Sequence, residues 1–139
     1  MRVSAMEIKN LTKLADGFIP TSKQIEAAKT SIKLRKARKI QEILVVDEDA
    51  TAGGLIKALL QSKYKVVAST TARKAWLSYL VMTPDIVFVQ SNLPDLTGDK
   101  LTRMIKVIDP GSYLVMLADE DSQNGVSDYI PLYTKSFLK

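Results

Sequence analysis

Three consecutive acids, Asp47-Glu48-Asp49, follow the apolar run Ile43-Leu44-Val45-Val46. A second apolar run, Ile86-Val87-Phe88-Val89, leads into Gln90-Ser91-Asn92. Two strands ending side by side would gather these residues into one acidic pocket. Carboxylates grouped in this way can bind a divalent cation or attack a phosphoryl group. Gln90 stands at the floor of the expected pocket, and an amide has no anionic oxygen to form an acyl phosphate. The acids are thus placed for phosphoryl chemistry while the nucleophile is missing.

Other chemistries are excluded by composition. The 139 residues contain no cysteine and no histidine. Disulfides, thiolate metal sites, imidazole general bases and histidyl phosphotransfer are therefore absent. The chain is 46% hydrophobic and 25% charged, which suits a packed core rather than disorder. No apolar run is long enough to span a bilayer, and Arg2, Glu7, Lys9 and Lys13 interrupt any signal-peptide core. A cytoplasmic location without membrane partners is expected.

Charge is divided unevenly. Residues 1–41 hold ten Lys/Arg against three Asp/Glu, whereas residues 42–139 hold ten against twelve. The division suggests a basic N-terminal helical extension, 1–41, and a separate domain, 42–139. In the extension, Met6 to Leu14 reads as a short helix, broken at Gly17-Phe18-Ile19-Pro20. Thr21 or Ser22 then caps a helix to about Gln41, with a narrow stripe of Ile25, Ala28 and Ile32. Lys29, Lys33, Arg35, Lys36, Arg38 and Lys39 surround that stripe. They are candidate contacts for a nucleic acid or a partner, although such a charge run is commonly only a solvated or packing face.

Strand and helix signals alternate through 42–139. Strands are expected at 43–46, 65–68, 86–89, 113–117 and 128–130. Ala52, Leu55, Ile56, Leu59 and Leu60 recur at helical spacing, and Gly53-Gly54 among them suggests a close backbone approach. Asp49 can cap this helix, which would make the acids a plain solvated strand end. Thr71 caps a second stripe, Ala72, Ala75, Trp76, Tyr79 and Leu80, in which Trp76 reads as core. Leu101, Met104, Ile105 and Ile108 mark a third helix, stopped by Asp109-Pro110-Gly111. This pattern implies an α/β fold with a parallel sheet covered on both faces. Its ligand site would lie at the carboxyl ends of the strands. Ten residues, 118–127, mostly polar, separate the last two strands, so the fourth helix should be shortened. The sequence stops at Lys139, so a fifth helix is expected to be missing.

The runs 43–48 and 113–117, the Pro84 to Gly98 block and Asp128-Tyr129-Ile130 resemble the receiver domain of bacterial response regulators. Asn92-Leu93-Pro94-Asp95-Leu96-Thr97-Gly98 is the most specific part. The resemblance implies a flavodoxin-like five-stranded sheet in the order 2-1-3-4-5. It also implies an acidic pair for Mg2+, at Asp47 and Glu48, and a phospho-acceptor position, which falls on Gln90. The phosphoryl-contacting hydroxyl falls on Ala118, and the switch aromatic on Tyr129. The lysine falls on Lys135, or on Leu132 under the other alignment. With Gln90 and Ala118 in place, the resemblance points to a degenerate receiver with no catalysis, no required cofactor and at most weak Mg2+ binding. It would regulate by binding protein, either another copy as a homodimer or another signalling protein. The 22–41 helix would cover the unfinished face where a fifth helix would lie, or cover a second subunit. Two alternatives remain: a nucleic-acid-binding regulator using the basic helix, and a haloacid-dehalogenase-type phosphatase. The latter rests on Asp47-Glu48-Asp49-Ala50-Thr51, which fits an Asp-x-Asp-x-Thr nucleophile motif.

Overall fold

The computed structural model describes residues 18–118 and 129–131. Five strands form one parallel sheet: β1 (Glu42–Val46), β2 (Lys65–Ser69), β3 (Ile86–Gln90), β4 (Tyr113–Ala118) and β5 (Tyr129–Pro131). Their order is β2-β1-β3-β4-β5. The register pairs Val46 with Ser69 on one side and with Val89 on the other, so β1 and β3 end together. The helices are α1 (Ser22–Leu34), α2 (Ala50–Leu60), α3 (Ala72–Met82) and α4 (Gly98–Ile108). A single 3-10 turn, Arg35–Ala37, follows α1.

Alternation along the strands sorts the core into two layers. Leu44, Val46, Val87, Val89 and Met116 face α3 and α4, while Ile43, Val45, Phe88, Val115 and Leu117 face α2. The α2 stripe divides accordingly. Ile56 is buried and Leu60 half-buried, whereas Leu55 and Leu59 face outward. Gly53 lies against β2, where an added Cβ would meet the Ala68 Cβ at an ordinary 3.5 Å, and Gly54 is open. Neither glycine is enforced by a close approach.

Three helix starts are capped as the sequence suggests. Thr21 makes a reciprocal capping box with Gln24, and Asp49 and Thr71 cap α2 and α3. Thr97 caps α4. One cap comes from a distance. Asp95, in the β3–α4 loop, accepts the Ala72 and Arg73 N–H groups at 2.8 and 2.9 Å. A carboxylate at a helix N-terminus is stabilised by the unpaired N–H groups and the helix dipole. It therefore ties the loop after β3 to α3.

The N-terminal helix departs from expectation in both length and position. It ends at Leu34, not near Gln41, because Arg35 and Arg38 turn inward to carboxylates and the chain tightens into the 3-10 turn. It packs on α3 and α4, the face opposite α2, rather than beside α2 where a fifth helix would lie. Ile25 and Ala28 are buried there with Phe18, in the same cluster as Trp76, Tyr79 and Met104. Trp76 is core, stacked on Tyr79, and its indole N–H donates to the Phe18 carbonyl at 2.6 Å. Burying each large apolar side chain contributes about 1.5–3 kcal/mol, so residues 18–34 are part of the hydrophobic core. The expected 6–14 helix, residues 119–127 of the crossover expected to be shortened, and the segment after β5 lie outside the described residues. Among those residues, no helix is long and apolar enough to cross a membrane.

Candidate functional site

The carboxyl ends of β1 and β3 bring the expected pocket together. Asp47 follows β1 and is only 2% exposed. Its Oδ1 accepts the Asp49 N–H at 2.9 Å, but its Oδ2 is buried with no hydrogen-bond partner among the described residues. Burial raises its pKa above the ordinary carboxylate value, and the neighbouring Asp49 and Glu48 charges push the same way. The hydrogen bond from Asp49 offsets part of this rise. Glu48 and Asp49 point to solvent, and Asp49 caps α2 through the Thr51 and Ala52 N–H groups.

Gln90 ends β3 beside this loop. Its side-chain carbonyl Oε1 accepts the Glu48 N–H at 3.2 Å, joining the loop after β1 to the end of β3. The next turn is held closely. Ser91 N–H donates to the Leu117 carbonyl at 3.1 Å, and Gly98 N–H donates to the Ser91 carbonyl at 2.9 Å. A Cβ on Gly98 would sit 2.2 Å from the Gln90 carbonyl oxygen, so this position requires glycine. Ala118 ends β4 and pairs with Pro131, and Tyr129 opens β5 opposite Met116. Lys135 and Leu132 lie outside the described residues.

The divalent cation implied by the resemblance needs several hard oxygens in near-octahedral array. Asp47 Oδ2 is free of partners, but the Gln90 amide oxygen already accepts a backbone N–H. Among the described residues, no group of three or more Asp, Glu, His or Cys is placed to hold a metal ion. The residues present do not fit a dedicated cation site.

A second cluster, at the opposite end of the sheet, was not anticipated from the sequence. Asp109, just before β4, is 2% exposed. Arg35 meets it with two parallel bonds, Nη1–Oδ2 at 2.6 Å and Nη2–Oδ1 at 3.1 Å. The Tyr79 hydroxyl donates to the same Oδ2 at 2.6 Å. The hydrogen bond to Asp109 raises the Arg35 pKa, and burial followed by its bond to Asp109 raises that of Tyr79. Arg38 serves a parallel knot. It donates to the Met82 and Thr83 carbonyls and pairs with Asp85 at 3.2 Å and Glu42 at 3.6 Å. Thr83, with φ of 38°, holds the left-handed conformation that ends α3, and its Oγ1 lies 3.2 Å from Arg38 Nη2. Two of the six candidate basic contacts are therefore spent inside the fold. Lys33, Lys36 and Lys39 are exposed, and Lys29 is half-buried.

Comparison with known proteins agrees with this architecture. The family model described as the response regulator receiver domain matches residues 43–139. The chain is similar to the chemotaxis protein CheY of Bacillus subtilis, 30% identical over 98 residues, covering 69% of this chain and 82% of that one. It is also similar to CheY of Thermotoga maritima, 26% identical over 100 residues, covering 70% and 83%. Among solved structures, a receiver domain protein from Clostridium thermocellum superposes with a TM-score of 0.55 at 26% identity, over 57% of this chain and 65% of that one. Response regulator TrrA of Thermotoga maritima gives 0.60 at 18% identity, over 66% and 86%, which shows the shared fold. With the parallel sheet, the acidic strand end and this match in hand, the chain belongs to the response regulator receiver domain family.

Proposed function

We propose that this chain is a phosphorylation-independent receiver, a signalling module that acts by binding a protein rather than by catalysis. The observation that carries the reading is Gln90. At the end of β3 it presents an amide, and that amide's oxygen is occupied by the Glu48 N–H. An amide cannot become an acyl phosphate. Ala118, at the end of the adjacent strand, has no hydroxyl to offer a phosphoryl oxygen. No cofactor is required in this reading, and Mg2+ binds Asp47 and Glu48 weakly at most. The partner is another copy or another signalling protein, met in the cytoplasm. The apolar stripe of α1 is already packed within the chain, so partner contact falls to other surfaces.

The test is direct. The intact protein is incubated with acetyl phosphate and Mg2+ and weighed by mass spectrometry. The expected result is an unmodified mass. A phosphate adduct mapped to an aspartate would overturn the reading.

A further inference from the structure

We propose that the amino-terminal end of the sheet is a docking surface for an acidic, partly apolar segment of a partner protein. This deepens the interaction-module reading and rests on it, but it uses the end of the sheet remote from Gln90. The strands are parallel, so Glu42, Lys65, Asp85 and Asp109 all lie at this end. Its acids are neutralised internally: Glu42 and Asp85 by Arg38, and Asp109 by Arg35. Its lysines are not. Lys33, Lys36, Lys39, Lys63 and Lys65 are exposed, and none forms an ion pair with a described residue. A net positive surface therefore remains around two inward-facing arginines.

The two sets separate by burial. Arg35 and Arg38 turn inward to Asp109 and Asp85. Lys33 at the end of α1, Lys36 in the 3-10 turn and Lys39 just past it are exposed. Leu34 and Ile40, at 64% and 60% exposed, lie along the same stretch. The Lys65 N–H donates to the Gln41 carbonyl at 3.0 Å, which brings the start of β2 next to this strip, with Lys63 in the turn before it. The arginine clamps hold the strip rigid, so little ordering cost attends binding.

The chemistry favours an acidic protein segment over a nucleic acid. Both guanidinium groups that could fork onto phosphate are used within the fold. The side chains left outside are ammonium groups beside aliphatic ones, with no aromatic stacking platform among residues 33–40. Glutamates or aspartates would meet the lysines, and leucine-like residues would cover Leu34 and Ile40.

The experiment uses the full chain and a fluorescent helical peptide with glutamate on one face and leucine on the other. Saturable binding that weakens with added salt is expected. A matched peptide with glutamine for glutamate should bind at least roughly tenfold more weakly. The triple variant Lys33→Glu, Lys36→Glu, Lys39→Glu should lose the acidic peptide while melting like the parent. Leu34→Ser with Ile40→Ser supplies an independent arm, expected to weaken binding by about tenfold. Three results overturn the proposal: no peptide binding, binding unchanged in these variants, or tighter binding to duplex DNA or to phosphatidylserine vesicles. None of these outcomes bears on whether Gln90 can be bypassed by phosphate, so the two readings fail separately.

Discussion

Asp47 and Asp109 are equally buried, at opposite ends of the same sheet, and they are treated in opposite ways. Asp109 receives two bonds from Arg35 and one from Tyr79. Asp47 receives one from a backbone N–H, and among the described residues Oδ2 receives none. A buried carboxylate is expensive unless its charge and its lone pairs are met. The amino-terminal end meets both demands and uses them to fasten the N-terminal helix to the body. Among the described residues, the carboxyl end meets neither fully. One end is a structural joint, and under the function proposed above the other is the remnant of a switch.

Breaking the joint should have the largest effect. Asp109→Ala leaves the Arg35 guanidinium and the Tyr79 hydroxyl half-satisfied in the interior. A loss of about 3–5 kcal/mol is expected in urea denaturation. A loss below about 1 kcal/mol would mean that the clamp is ornamental and that α1 is held by apolar packing alone.

Gly98→Ala should cost less. The new Cβ collides with the Gln90 carbonyl, a backbone atom that cannot rotate away. A loss of about 1–3 kcal/mol is expected, with amide shifts concentrated at Gln90 and Ser91. Neutral behaviour would show that the loop after β3 is looser than its hydrogen bonds imply.

The smallest of the three effects has the opposite sign. Asp47 has a folded-state pKa above its ordinary value of 3.8, raised chiefly by burial. Its contribution is therefore fully present below about 3.8 and is lost as pH rises through the folded value. At neutral pH the buried charge is a cost. Asp47→Asn should raise the melting temperature near pH 7, and the gain should shrink as the parent's Asp47 protonates in acid. A destabilised variant at neutral pH would show that the charge is compensated after all.

Much of this was legible in the sequence, because apolar period and cap chemistry are local signals. The strands, Asp49 and Thr71 as caps, and the buried Trp76 stripe all follow from residue types within a few positions of each other. The proximity of Asp47 and Gln90 was also readable, since parallel strands place their carboxyl ends together. The packing of the basic helix was not. Its charge run read as one solvated surface, yet Arg35 and Arg38 bond residues forty-four to seventy-four positions away only once the strands are assembled. Asp95 capping α3 was hidden for the same reason, because its partners are defined by the fold rather than by spacing.

The central claim is that the carboxyl end has lost its switch as a set of parts and not at one residue. Gln90→Asp tests this most directly by restoring the acceptor alone. Acyl-phosphate formation is followed by intact mass in acetyl phosphate and Mg2+. The account expects this variant to remain a poor acceptor, since Ala118 still supplies no hydroxyl and the acids do not form a ready cation site. Rapid, stoichiometric phosphorylation at position 90 would contradict it.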